Sequence, residues 1–166
     1  MTTTSRIGPL IDYLTGLFTA AATLGAAPAP ATVTVFDGPA TTGLDAHLKL
    51  FVGLADPDNP GVEAAAASSQ TWAALGRLGR DEMITIHCCA EAWAGTDDLK
   101  TVRTSVTGIV AAVEQLMQSD STQFGGNALF ADPGLAAGSL LQNNTSRGAI
   151  ARVPFDLSFK SRTGGF

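Results

Sequence analysis

The segment 82–93, EMITIHCCAEAW, alternates apolar and polar residues with a period of two. Its even-numbered positions from Ile84 to Ala90 are apolar, whereas its odd-numbered positions from Thr85 to Glu91 are mostly polar. Successive side chains of a β-strand point to opposite faces, so this pattern predicts a strand with one buried face.

The segment 151–159 has the clearest alternation in the chain, with apolar residues at Ala151, Val153, Phe155, Leu157 and Phe159. We expect the last three to face the same side as Ile84 and Ile86. Pro154 lies within this segment and cannot donate a hydrogen bond to a neighbouring strand. It therefore predicts either an edge strand or a strand whose Pro154 position faces outward.

Two further segments repeat apolar residues at spacings of three and four, as amphipathic helices do. The first is 6–24, where Pro9 falls in the first turn and its missing N–H costs little. The second is 98–119, for which we expect Thr96 to be the N-cap and Asp97 and Asp98 to lie in the first turn. The apolar positions are Ile7, Leu10, Ile11, Leu14, Leu17, Phe18 and Ala21 in the first helix, and Val102, Val106, Ile109, Val110, Val113, Leu116 and Met117 in the second.

Shorter strands are predicted at 32–36, 47–52 and 139–142, the last followed by a turn over 143–148. The segments 70–75 and 80–93 are interpreted as the two arms of a hairpin joined across 76–79. A helix over 62–75 is the alternative interpretation.

Two segments, 53–68 and 119–148, contain glycine and proline and have no sustained periodicity, so we predict long loops. Long irregular stretches inside a compact domain are usually functional or disordered. The elements together predict an α+β fold with a mixed, largely antiparallel sheet of about four to six strands. Two main helices pack on one face, in a single domain over 1–166 with an ordered core at about 6–161.

The composition bears on the partners of the chain. With 166 residues and 45% hydrophobic composition it can bury one good core. Its net charge is −5, and its ten Lys and Arg residues are scattered, so nucleic acid is not expected to bind the surface at large. We find neither a signal peptide nor an apolar run long enough for a membrane span, and expect a soluble protein made in a reducing cytoplasm.

His87, Cys88 and Cys89 are the residues that most suggest a metal site or a nucleophile. Cys88 and Cys89 point to opposite faces of the predicted strand and cannot easily bond to each other. One strand face offers only His87 and Cys89, with no second group of ligands, so we expect no metal site and no cofactor. No nucleophile, base and orienting group are recognisable together, and we expect no enzyme activity. A small thiol-dependent hydrolase is the competing hypothesis, which a thiol of depressed pKa would favour.

The order of elements resembles the tail terminator proteins of long-tailed bacteriophages, which are also called tail completion or minor tail proteins. A leading helix, TVTVFDG, LKLFVG, a W-x-x-L-G segment, RDEMITIHCCAEAW, a long helix, a glycine-rich loop and a final strand carry the resemblance over most of 6–161. Its most specific pieces are 35–38, 72–76 and 80–93.

The resemblance implies a structural virion protein, assembled in the host cytoplasm, whose hexameric ring caps the head-proximal end of the tail tube. The expected partners are other copies of the chain, the tail tube protein and head-tail connector proteins, with DNA passing through the ring without specific binding. We expect contacts between subunits at Phe124, Phe130, Arg80, Asp81 and Arg147. A tail-tube or head-connector subunit is an alternative within the same structural class.

Overall fold

The computed structural model describes residues 5–21, 32–73, 79–132 and 138–163. The helices are α1 (Ile7–Ala20), α2 (Leu99–Ser119) and the single turn α3 (Gln123–Gly126). The strands are β1 (Thr34–Asp37), β2 (Leu48–Val52), β3 (Ala66–Trp72), β4 (Arg80–Ala94), β5 (Phe130–Asp132), β6 (Leu141–Thr145) and β7 (Gly148–Thr163).

The two long strands β4 and β7 form the centre of the sheet. They pair antiparallel along their whole length, from Arg80 opposite Thr163 to Ala94 opposite Ala149. On the outer side of β4, β3 pairs with its first half and β2 with its second half, and β1 lies parallel to β2. On the outer side of β7 lie β6 and β5. The predicted mixed, largely antiparallel α+β fold is confirmed, in a seven-stranded sheet that includes the unpredicted three-residue β5.

The predicted faces of the long strands are also confirmed. Phe155 lies opposite Cys88 and Phe159 opposite Ile84, and all four side chains are buried in one core. The apolar stripes of α1 and α2 cover this face of the sheet. Both helices thus bury their apolar side against the strands, as their spacing requires.

The N-terminus of α2 differs from the prediction. Asp98, and not Thr96, is the N-cap, and its carboxylate accepts a hydrogen bond of 3.1 Å from the backbone N–H of Thr101. The Thr96 carbonyl instead accepts a hydrogen bond of 2.7 Å from the N–H of Ala149 at the start of β7. Threonine and aspartate are both good N-cap residues. The helix begins after Asp98 because the backbone of Thr96 is already bonded to β7.

The hairpin interpretation of β3 and β4 is confirmed, and the alternative helix over 62–75 is wrong. β3 begins at Ala66, inside the segment predicted as a loop, because it pairs with β4 from Ala66 opposite Ile86 onward. The residues 74–78 of the predicted connection lie outside the described part of the chain.

Pro154 lies in β7 between the residues that pair with β6 and those that pair with β5. The carbonyl of Lys160 accepts from Leu129 on that outer side, so the even-numbered backbone groups of β7 point away from β4. Pro154 is one of these, and it falls between the ladders with β6 and β5, where an isolated bridge joins Phe155 to Gly138 among the described residues. The missing N–H of Pro154 therefore breaks no bond with β4, as the outward-facing alternative predicts.

β6 and β7 form a tight hairpin around Ser146 and Arg147. Gly148, just after this turn, has a φ of +121°. A Cβ there would lie 2.0 Å from the carbonyl oxygen of Ala94, so only glycine fits. The predicted strand over 139–142 is displaced to Leu141–Thr145, because this close approach sets the turn at 146–147.

Candidate functional site

The sheet face opposite the helices has a polar pair at its centre. His87 of β4 and Asp156 of β7 are directly opposed, and the imidazole Nδ1 lies 2.6 Å from the carboxylate Oδ1. The backbone N–H and C=O of His87 bond to the segments beside β2 and β3 and not to β7. His87 and Asp156 are therefore a non-hydrogen-bonded pair of the antiparallel ladder, the kind in which opposed side chains come closest. The side chains are 25% and 29% exposed.

His87 and Asp156 line an open cleft of about 570 Å³. Its other walls come from the segment after β2 and from the segment before β6, and its lining includes Glu63 and Ser139. A carboxylate that orients an imidazole is half of a catalytic arrangement. The described hydrogen bond of the His87 side chain is the one with Asp156, and none to the hydroxyl of Ser139 is found among the described contacts.

The two cysteines are separated by the sheet, as their adjacency predicts. Cys88 lies in the main core, and Cys89 lies on the other face in a small cluster with Phe51 and Leu54. Burial raises the pKa of Cys88 to about 12 and that of Cys89 to about 12. A thiol of depressed pKa would favour the competing hydrolase hypothesis, and the burial of both thiols has the opposite effect on their pKa.

We expect both thiols to be inert in the folded protein. At pH 8 the thiolate fraction of a group with a pKa of about 12 is negligible, and burial also blocks access. Treatment with a chromogenic disulfide reagent should release almost no colour from the native protein and two equivalents after denaturation in urea. Rapid labelling of one thiol in the native protein would contradict this and revive the hydrolase hypothesis.

A network of four charged side chains lies beside the cleft on the same face. Glu91 accepts from Lys49 Nζ at 2.7 Å and from Arg152 Nε at 2.6 Å. Arg152 also makes two hydrogen bonds to the carboxylate of Asp58. Burial disfavours the charge of Arg152, but its hydrogen bonds to the Asp58 carboxylate and the charge of Glu91 outweigh that effect and raise the pKa of the guanidinium. The network attaches the segment after β2 to the face of the sheet.

A second buried carboxylate lies on the helix side. Glu82 is 0% exposed and accepts from the hydroxyl of Ser5 at 2.6 Å and from the backbone N–H of Arg6 at 2.9 Å. These donors lie just before α1, where unpaired N–H groups and the helix dipole favour an anion. Glu82 thus anchors the segment just before α1 to the sheet.

The sequence-predicted contact residues lie at separate places. Arg80 is at the start of β4, with its guanidinium 4.5 Å above the ring of Trp72. Asp81 is next to it and accepts from Arg162 at 2.7 Å, a hydrogen bond that lowers the pKa of Asp81. Arg147 is exposed in the turn between β6 and β7.

Phe124 is the exception among the predicted contacts, because it is only 4% exposed. Its ring packs edge-to-face against Tyr13 and Phe159, at centroid distances of 6.3 and 5.2 Å. Its N–H donates to Asp120 at 2.7 Å, which turns the chain inward. Phe124 is therefore a core residue of the subunit, which corrects its prediction as a contact between subunits. Phe130 has its backbone in β5, and its side chain lies outside the described part.

Within the described ranges no group of three or more His, Cys, Asp and Glu side chains could hold a metal ion. No helix in that part of the chain is both long and apolar enough to cross a membrane. No protein-family model matches the sequence, and no curated protein matches it either. A function has to be inferred from the fold and from the surfaces it presents.

Proposed function

We propose that the protein is a structural virion component that forms a ring at the head-proximal end of a phage tail tube. In this proposal the ring ends tube polymerisation and provides the surface that joins the head. The observation that supports it best is the fold: a mixed sheet with its main helices on one face is what the resemblance to tail terminator proteins implies. The leading helix, the strands β1, β2 and β4, the long helix α2 and the final strand β7 follow one another in the order on which that resemblance depends.

A cap of this kind answers a physical need of an open-ended polymer. A tube of identical rings presents the same growing surface after every addition. Only a ring that binds this surface without reproducing it can stop growth. Such a ring needs surfaces for its own neighbours, for the tube and for the head, and it needs no reaction chemistry.

The charge balance of the chain fits passage of DNA. Its formal net charge is −5. Phosphate binding requires clustered Lys and Arg residues, and binding strength grows with the number of phosphates neutralised. An acidic ring would let DNA slide through its channel without holding it.

Solution mass is the first test. The subunit mass is 17.0 kDa, and we expect the purified protein to have about six times that mass and to appear as single rings in negative-stain images. A tail-tube subunit would instead grow into long cylinders. A monomer at all concentrations would contradict the proposal.

The functional test is a phage lysate made with a nonsense codon at Trp72 in the gene for this protein. We expect tails longer than normal and detached from heads that are filled with DNA. The matched control is the same phage grown in a suppressor host that inserts tryptophan, which should restore joined particles. Tails of normal length joined to heads would overturn the proposal, and normal tails with empty heads would favour a connector role.

A further inference from the structure

The strands β3 and β6 contain none of the charged residues or prolines that commonly keep sheet edges apart. Natural monomers protect edge strands with charged residues, prolines or bulges. β3 is AASSQTW and β6 is LQNNT, so neither contains a charged residue or a proline. Among the described residues β3 pairs only with β4, and β6 only with β7.

The hydrogen bonds between β3 and β4 show which backbone groups of β3 face outward. Ala65 accepts from His87 at 3.1 Å, and Ala73 donates to Gly79 at 3.0 Å. Odd-numbered residues of β3 therefore bond to β4, and the backbone groups of even-numbered residues such as Ser68 point to the outer edge. Ser68 itself is exposed.

The same reasoning applies to β6. The even-numbered residues of β7 direct their backbone groups toward β5 and β6, as the bond from Leu129 to the Lys160 carbonyl shows. Arg152 lies opposite Leu141, so the odd-numbered residues of β6 are the ones that bond to β7. The backbone groups of Gln142 and Asn144 point to the outer edge.

We propose that β3 of one subunit pairs antiparallel with β6 of the next subunit. β3, β4, β7 and β6 alternate in direction across the sheet, so in two copies of the same orientation β3 and the neighbour's β6 run antiparallel. A contact between two different surfaces of one chain generates a ring when it closes. This inference adds the subunit contact to the proposed ring and rests on that proposed function.

One register of β3 on β6 both joins the outward-pointing backbone groups of the two strands and brings exposed apolar side chains together. Pairing Ser68 with Asn144 joins outward groups to outward groups and places Trp72 opposite Leu140. Trp72 is 62% exposed and Leu140 is 39% exposed. Even-numbered residues of β3 and β6 lie on the helix side of the sheet. Leu140 directly precedes β6, so if the strand pattern continues through it, its side chain meets Trp72 on that face. Arg80 already holds one face of the Trp72 ring.

The pairing also sets the tilt of the strands in the ring. The middle of β3 lies beside Met83, whereas the middle of β6 lies beside Ile150, which is opposite Trp93. These levels differ by about ten residues, or roughly 33 Å along the strands. The long strands should therefore run obliquely around the ring axis.

The first test uses proline on the outer edge. Ser68→Pro removes an N–H that β4 does not use, so we expect a folded subunit with an unchanged circular dichroism spectrum and a mass near 17.0 kDa instead of the ring mass. Ser68→Ala keeps the N–H and should keep the ring. Asn144→Pro on the opposite edge should behave as Ser68→Pro does.

The second test cross-links the two edges and does not depend on proline being tolerated. Opposed residues of a hydrogen-bonded antiparallel pair have Cα atoms about 5.5 Å apart, which a disulfide can span. The double variant Ser68→Cys with Asn144→Cys should give a ladder of covalent multimers on oxidation. Each single variant should give none, since Cys88 and Cys89 are buried.

The outcomes separate this inference from the proposed function. A ring that persists in both proline variants, with no ladder from the double variant, would overturn the pairing and leave the ring intact. Dimers from Ser68→Cys alone would mean that β3 pairs with itself about a two-fold axis, which also overturns it. A wild-type protein that never assembles would overturn the proposed function as well.

Discussion

Glu91→Gln should destabilise the subunit by about 3–5 kcal/mol, the usual cost of removing one partner from a buried ion pair. Glu91 is 3% exposed and accepts hydrogen bonds from both Lys49 and Arg152. The neutral amide leaves the ammonium of Lys49 buried without a counter-charge, since its side chain is only 9% exposed. Urea unfolding followed by tryptophan fluorescence, at one fixed protein concentration, measures the loss.

Asp58→Asn is the matched control, because it removes a carboxylate from the same network at its exposed end. The Asp58 side chain is 66% exposed, so we expect a cost of about 1 kcal/mol or less. Lys49→Met combined with Glu91→Leu should recover much of the lost stability, since an apolar pair replaces the buried charges while Arg152 keeps Asp58. A cost for Glu91→Gln no larger than that of Asp58→Asn would mean that water reaches the network and that it is not buried.

The sequence predicts the centre of this fold well and its periphery poorly. The alternation in β4 and β7 predicts both faces because each strand is long and one face is buried, so a slip of one residue would expose the whole apolar set. The predicted arm at 70–75 begins later than β3, which starts at Ala66, because Ala64 to Ala67 have no alternation and favour helix in isolation. Pairing with β4 overrides that preference.

The sequence predicts that one face of the sheet is polar, but it does not predict which side chains on that face contact one another. Glu91 is 42 residues from Lys49 and 61 from Arg152, and only the register of three strands brings them together. Nothing in the local pattern identifies Glu82 as the acceptor that holds the start of α1, which lies more than 70 residues away. Phe124 was predicted wrongly for the same reason. Its position in a loop suggests a surface contact, whereas its ring packs against the distant residues Tyr13 and Phe159.

Phe155→Ala should cost about 3–5 kcal/mol, as for other buried phenylalanines cut to alanine. Phe155 is 2% exposed and lies in the main core directly opposite Cys88. Truncation removes most of a ring from a close-packed interior that cannot collapse fully around the gap. We expect the urea midpoint to fall sharply with an unchanged slope, as read from tryptophan fluorescence.

Asp156→Ala is the control, because it changes the next residue of the same strand on the opposite face. It breaks the pair with His87, but both side chains are more than 20% exposed, so we expect a cost of about 1 kcal/mol or less. Equal loss of stability in the two variants would contradict the register of β7 on β4. A large loss in Asp156→Ala alone would instead mean that the pair with His87 holds the two central strands together, and that the polar face contributes as much to folding as the core.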